Sequence, residues 1–414
     1  MLTPFNCADP ASLGFDPGRL DRIPHFLKNN YISNGRLPMT QLVVARDGQP
    51  VFYDAQGTMG ENRDALRDDA IFRIASMTKP VTSVAFMQLV EQCQIALEDP
   101  VSKVIPEFGD LRVYAGGGGS LPFAPGGKAT PMRFIDLLTH MSGLTYGLQN
   151  RTNIDAVYRD HNLDFARNSH DSDAYIKILA DLPLEFAPGQ GWNYSVATDV
   201  LGIAVERLSG MRLGEYFAKH IFAPLGMTDT AFGVAGDKAE RLVDAYQYAP
   251  GKPAKMIDAG PGSKLAQDGR FDSGGGGLCG TIADYHRFVT MLANGGTLDG
   301  SRILSPKTLR LMRTNHLPDG ADLTDMSSSL FSEANNAGTG FGLGFAMVID
   351  PAKTLMPSSM GEFYWGGAYS TAFFVDPVEA ITMVFMTQVY PSSSYPIRRQ
   401  LKTLIYAALA DSRA

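Results

Sequence analysis

Ser76 and Lys79 close the tetrad Ser76-Met77-Thr78-Lys79. A serine hydroxyl is a weak nucleophile until another group takes its proton. Three residues on, along a first helical turn, a lysine shares the serine's face and can reach its Oγ. If desolvation keeps that amine neutral, it can serve as the base. A tetrad is short enough to occur by chance, and alone it reads equally as a helix N-cap followed by a solvated lysine.

The flanking residues supply the positioning. Ala70 to Ala75 form an extended apolar stretch, and Val81, Val84, Ala85 and Leu89 recur at helical spacing after it. Pro80 falls within the first turn, where it displaces no intrahelical hydrogen bond. Ser76 is therefore expected at the positive end of a helix, among unbonded N–H groups suited to an oxyanion. Two later segments offer partners. Trp192-Asn193-Tyr194-Ser195-Val196 follows the turn-rich Pro188-Gly189-Gln190-Gly191 and precedes a helical stretch. A phenol there can point into a cleft and, beside a lysine, pass protons between nucleophile and leaving group. Tyr364-Trp365-Gly366-Gly367-Ala368 directly precedes a strand at Ser370. Two glycines at a strand edge admit a close backbone or ligand approach, so that edge can supply an N–H opposite that of Ser76. Alone, each has a plainer reading: a core tyrosine, and a Gly-Gly turn beside a packed tryptophan.

The chain has 414 residues, 44% hydrophobic and 19% charged, with a net charge of −7. That is enough for two or three domains with a large core, and far from a disordered composition. No basic run or amphipathic basic helix points to nucleic acid or a membrane surface, and no apolar run approaches a membrane span. Met1 to Asp9 lack a charged stretch followed by an apolar core, so a cytoplasmic protein is expected. Cys7, Cys93 and Cys279 are odd in number and widely spaced, which suits buried or inert thiols rather than disulfides or a metal site.

Residues 12–34 read as an N-terminal helix carrying Leu20, Ile23 and Leu27 on one face. Leu42 to Tyr53 read as a hairpin on an Asp47-Gly48 turn. The middle is helical with many loops, for instance Phe134 to His140 and Val196 to Leu208. Gly116–Gly119 and Pro125-Gly126-Gly127 mark a flexible excursion, and Ser327-Ser328-Ser329 and Ser392-Ser393-Ser394 read as surface loops. Strand character returns at Phe341 to Ile349, and at Ser370 to Val375 and Ile381 to Thr387 around an Asp376-Pro377 turn. Leu401 to Leu409 close the chain as a helix. Strands at both ends with helices between predict one sheet built from both termini. The expected division is a discontinuous sheet domain over 1–80 and 290–414, a mostly helical domain over 81–289, and a site in the cleft between them.

Taken together and in this order, the three segments resemble the serine hydrolases of the β-lactamase and penicillin-binding-protein superfamily, in its class C branch, and within it the family VIII carboxylesterases. The resemblance extends over nearly the whole chain. It includes Leu137-Leu138-Thr139-His140-Met141-Ser142-Gly143-Leu144, Gly274-Gly275-Gly276-Gly277-Leu278 with Asp284 and Arg287-Phe288 after it, and Phe341-Gly342-Leu343-Gly344-Phe345. It implies an α/β (α+β) β-lactamase-like fold: an antiparallel sheet flanked by helices, with an inserted mostly helical domain. It also implies Ser76 as acyl-accepting nucleophile, Lys79 as the group that holds or takes its proton, and Tyr194 as general base and then acid. The backbone N–H groups of Ser76 and Ala368 would form the oxyanion hole, and Trp365, Gly366 and Gly367 would contact substrate. Two departures set the substrate expectation. Val196 stands where β-lactamases usually carry an asparagine for the substrate's amide, and Trp365 where they carry a lysine for the antibiotic's carboxylate. Neither residue can make those interactions. The resemblance thus implies an esterase acting on small, short-chain esters with weak β-lactam turnover at most, using no cofactor or metal. A β-lactamase, peptidase, amidase or acyltransferase on the same machinery, or a non-catalytic binding protein on the same scaffold, are the other readings.

Other signals fall away. No Gly-x-Ser-x-Gly elbow and no His-Glu-x-x-His helix occurs. His140, within its Leu-Leu-Thr-His string, reads as a structural, loop-fixing residue. Gly127-Lys128-Ala129 lacks the hydroxyl of a phosphate loop, and Gly338 to Gly342 lacks dinucleotide-fingerprint spacing. Ser273 to Gly277 read as a tight connection near the cleft, and Asp199 and Asp284 as caps or ion pairs within the fold.

Overall fold

A computed structural model describes residues 4–413 except 118–122, 125, 165–169, 267–268, 270 and 328–335. Gly118, Gly119, Pro125, Ser328 and Ser329, part of the loops expected above, thus lie outside the described residues. The central feature is a seven-stranded antiparallel sheet. Its strands are β1 (Met39–Arg46), β2 (Gln49–Gly57), β3 (Thr339–Phe341), β4 (Ala346–Val348), β5 (Phe363–Gly366), β6 (Ala372–Asp376) and β7 (Ile381–Met386), in the order β3-β4-β5-β6-β7-β1-β2. The sheet is stitched from both ends of the chain by the β1–β7 pairing, Gln41 opposite Met386 through Arg46 opposite Ile381. Every residue of β1 and β7 is buried, as expected of apolar strands covered on both faces, whereas β2 at the edge is half-buried. The β1–β2 hairpin closes at Asp47-Gly48 with positive φ at both residues, as that dipeptide predicts.

Helices cover both faces. Helix α3 (Ile282–Ala293) packs on β1, β6 and β7, and α4 (Ile397–Ala407) lies on the opposite face, with Tyr406 stacked on Phe374. The N-terminal helical segment packs beside α4. It runs as Pro17–Leu20, Arg22–Leu27 and a wider turn over Lys28–Ile32, preceded by a 3-10 turn at Pro10–Leu13. The single helix expected over 12–34 is thus divided, with Gly14 in the left-handed region and Asp16 capping the Arg19 N–H. The stretch 341–349 also differs from expectation. It is two strands, not one, because the chain reverses between Phe341 and Ala346. There Gly344, at positive φ, donates to Leu138 O and lies so close to Ser83 that a Cβ would strike its hydroxyl.

Between these strands in sequence lie the helices of the middle segment. Helix α1 (Thr78–Glu91) is buried on all sides from Thr78 to Leu89, the mark of a core helix rather than a surface one. It packs on α2 (Ala197–Ser209), which ends on Gly210 in the left-handed region. Among the described residues no helix is long and apolar enough to cross a membrane. Of the three cysteines, Cys7 and Cys93 are exposed, and Cys279 is buried as expected.

Candidate active site

Ser76 lies in a 3-10 turn, Ala75–Met77, that runs directly into α1, with Ala75 held at positive φ just before it. Lys79 follows on the first turn of α1 and is 2% exposed. Its Nζ lies 3.4 Å from Ser76 Oγ, donates to Tyr146 OH at 3.0 Å and to Gly275 O at 2.6 Å, and sits 4.6 Å from the centre of the Tyr194 ring. Amine and Ser76 hydroxyl are thus close together, and the amine lies against the Tyr194 ring. All three hydrogen-bonding partners of the ammonium are neutral oxygens. Asp199, in the first turn of α2, stands behind Gly275, accepting its N–H at 3.0 Å and the Ser273 hydroxyl. Burial raises the Asp199 carboxyl above its ordinary value, against the pull of Lys79.

Tyr194 is held in an aromatic cluster on the loop before α2. Its ring lies 4.9 Å from that of His140, 5.3 Å from Tyr146, 6.3 Å from Trp192 and 5.4 Å from Trp365. Gln149 binds its carbonyl oxygen from behind. His140 is fully enclosed. Burial, then the Lys79 charge, press its imidazole well below the usual range, so it is neutral. Its Nδ1 contacts Ser195 Oγ at 3.2 Å and its carbonyl accepts the Asn193 N–H, which fits the expected loop-fixing role. Val196, buried at the start of α2, presents no amide.

The Trp365-Gly366-Gly367-Ala368 segment leaves β5 and turns into β6. The turn is closed by Ser370 N–H on Gly367 O at 3.0 Å and Gly367 N–H on Thr371 O at 2.9 Å. Gly367 packs directly on Ile74 O, where a Cβ would collide, and Thr371 Oγ1 contacts the same carbonyl. This close approach sets the turn beside the segment carrying Ser76. Ser76, Tyr194, Trp365, Gly366, Gly367 and Ala368 line one cavity of about 230 Å³, which continues between β5, β6 and α4 past Tyr364, Phe374 and Met383. Among the described residues, neither the Ser76 nor the Ala368 N–H has a protein acceptor. Ser76 and Ala368 thus border one cavity, where a pair of N–H donors beside a hydroxyl can receive a carbonyl and stabilise the oxyanion formed on attack.

Sequence reasoning left three participants unplaced. Tyr146 was recognisable only as one aromatic among many; burial, then the Asp199 charge, lift its phenol well above the usual value, so it meets Lys79 as a neutral hydroxyl. Gly275 contributes its carbonyl, and the run of four glycines was the available signal. Arg398, near the start of α4, reaches the Gly367 turn, and nothing in the sequence marks it. Asp284 accepts from Asp229 N–H and the Thr230 hydroxyl instead of pairing with a cation. Among the described residues no cluster of histidine, cysteine and carboxylate could hold a metal ion.

The fold is that of the β-lactamase-like serine hydrolases. The family model described as Beta-lactamase matches residues 23–407, and the chain belongs to that family. A relative named Esterase EstB, from Burkholderia gladioli, is 31% identical over 421 residues, 96% of this chain and 98% of its own. Protein Rv1367c of Mycobacterium tuberculosis is 37% identical over 333 residues, 80% of each chain. Among solved structures, the chain is similar to EstCE1, described as a hydrolase with promiscuous acyltransferase activity: TM-score 0.78, 26% identity, 97% of this chain and 99% of that one. Family, fold and the esterase relative place the chain among serine hydrolases of esterase type, in agreement with the family VIII resemblance.

Proposed function

We propose that this protein is a carboxylesterase that hydrolyses small, short-chain esters through an acyl-enzyme on Ser76. The ester carbonyl lies between the N–H groups of Ser76 and Ala368, against Trp365, Gly366 and Gly367. Ser76 Oγ attacks; the Tyr194–Lys79 pair, acting one proton short of ammonium and phenol, takes the Ser76 proton and gives it to the departing alcohol. Water then takes the alcohol's place and releases the acid through the same groups. The reaction runs in the cleft between the sheet-bearing part (1–80 and 290–414) and the mostly helical part (81–289). The observation that carries this reading is the buried Lys79 side chain, its Nζ 3.4 Å from Ser76 Oγ, beside the Tyr194 ring and bonded only to neutral oxygens. The cavity, at about 230 Å³, is smaller than pockets for drug-sized ligands, which favours short acyl groups. Val196 and Trp365 argue against β-lactams.

Ser76→Ala should abolish p-nitrophenyl ester hydrolysis and labelling by a fluorophosphonate. Retained turnover would remove Ser76 from the mechanism. A second reading, acyl transfer to an alcohol other than water, draws support from the similarity to EstCE1 and its promiscuous acyltransferase activity. Product analysis with an added alcohol acceptor separates the two, and nitrocefin turnover rivalling ester turnover would reinstate the β-lactamase reading.

A further inference from the structure

Arg398 is the second residue of α4, half-buried where that helix meets the end of β5. Its Nη2 donates to two carbonyls at once, Gly367 O at 2.8 Å and Thr371 O at 2.8 Å. Those carbonyls bound the turn that carries Ala368, and each already takes a bond within the turn. The guanidinium therefore clamps the mouth of the hairpin from the α4 side, while Ile74 O packs against Gly367. It seats there because Gly366 has no side chain: a Cβ at that position would collide with the guanidinium carbon.

We propose that Arg398 is a positioning residue for the oxyanion hole. It fixes the Gly367–Thr371 turn so that the Ala368 N–H stands at the distance required by the developing negative charge, and it touches no reacting atom. Gly366 serves the same end by leaving room for it. The proposal rests on the Ser76 esterase reading above. It makes two statements beyond it: the cost of losing Arg398 falls on the transition state, and Gly366 and Arg398 act as one unit.

The test is a double-mutant cycle with Arg398→Met, Gly366→Ala and both together, assayed on a p-nitrophenyl ester and by inhibition with benzeneboronic acid, whose adduct on a serine is tetrahedral. Arg398→Met should lower kcat roughly 10- to 100-fold with KM within about twofold, and weaken boronate inhibition in proportion. Gly366→Ala should give a loss of the same kind, and the double variant little more than the worse single one. Arg398→Lys should recover part of the activity, and millimolar guanidinium should partly rescue Arg398→Met. Unchanged kcat and boronate affinity in folded Arg398→Met, or fully multiplicative losses in the cycle, would overturn the proposal. If the methionine variant does not fold, Arg398→Lys and Gly366→Ala still decide it. Ser76→Ala run in parallel separates the two readings: residual turnover there defeats the esterase mechanism, whereas a dead Ser76→Ala beside an unaffected Arg398→Met defeats only the positioning role.

Discussion

Among the described residues two lysines are buried, and they are held in opposite ways. Lys402, on α4 and 7% exposed, makes an ion pair with Glu362, itself wholly buried, at 2.5 Å. Tyr406 binds the other Glu362 oxygen at 2.7 Å and continues to Asp376, which also accepts from Ser359. Lys79, 2% exposed, touches no carboxylate among the described residues; a serine hydroxyl, a phenol and a peptide carbonyl surround it. Removing an ammonium from water costs several kcal/mol, and pairing with a hydrogen-bonded carboxylate is the usual compensation. The protein provides that compensation where the charge only joins a helix to a sheet and withholds it beside Ser76. Lys402 is thereby tied to a carboxylate, whereas the Lys79 amine is left to neutral groups beside the Ser76 hydroxyl.

The comparison makes graded predictions. Lys79→Met should reduce kcat/KM for ester hydrolysis on the order of 10⁴-fold while leaving the thermal midpoint unchanged or raised, since it removes a costly buried charge. A large fall in the midpoint with modest loss of turnover would reverse the assignment of roles. Lys402→Met should do the opposite: destabilisation of about 3–5 kcal/mol, read by chemical denaturation at pH 7, with turnover per folded molecule retained. That loss should shrink with acidification. Burial already raises the Glu362 carboxyl above its ordinary value, against the pull of Lys402. Without the lysine it rises further. A carboxyl with a raised folded value stabilises the fold fully below its unfolded value, about 4.3, and loses that contribution as pH rises through the folded one. The variant should therefore approach the parent protein near pH 4. A gap that widens on acidification would show that Glu362 is not the group left stranded. The smallest effect is expected from Tyr146→Phe, which deletes one neutral partner of Lys79. Roughly a 10-fold loss in kcat with little change in stability is predicted, consistent with one hydrogen bond to a charged group. A loss as large as that of Lys79→Met would make the phenol a full participant in proton transfer.

The nearness of Ser76 to Lys79 was legible because three residues along a helical turn share a face, whereas Tyr194 became a candidate only through the family resemblance. The Asp47-Gly48 hairpin and the β6–β7 pair were legible for the same reason: turn chemistry and alternation are local. Tyr146, Gly275 and Arg398 were not. Their partners lie 67, 196 and 31 residues away, and a tyrosine, a glycine among glycines and an arginine on a helix look ordinary until the chain folds. The hairpin at 339–348 was hidden for a related reason. Its reversal is held by Leu138 and Ser83 on other elements, and Gly342 and Gly344 within an apolar run do not by themselves distinguish a reversal from a bulged strand.

The pairing of β1 with β7 has a consequence for the chain during its synthesis. Ser76 precedes the Gly367–Thr371 turn, the helix that braces it and the partner of β1 by some three hundred residues, so it leaves the ribosome well before all of them. A growing polypeptide therefore displays Ser76 before the cavity that it lines is complete, and that cavity forms only once β1 has met β7. Contacts of such long sequence separation also close slowly, and the exposed edge of β1 is left waiting for β7 in the meantime.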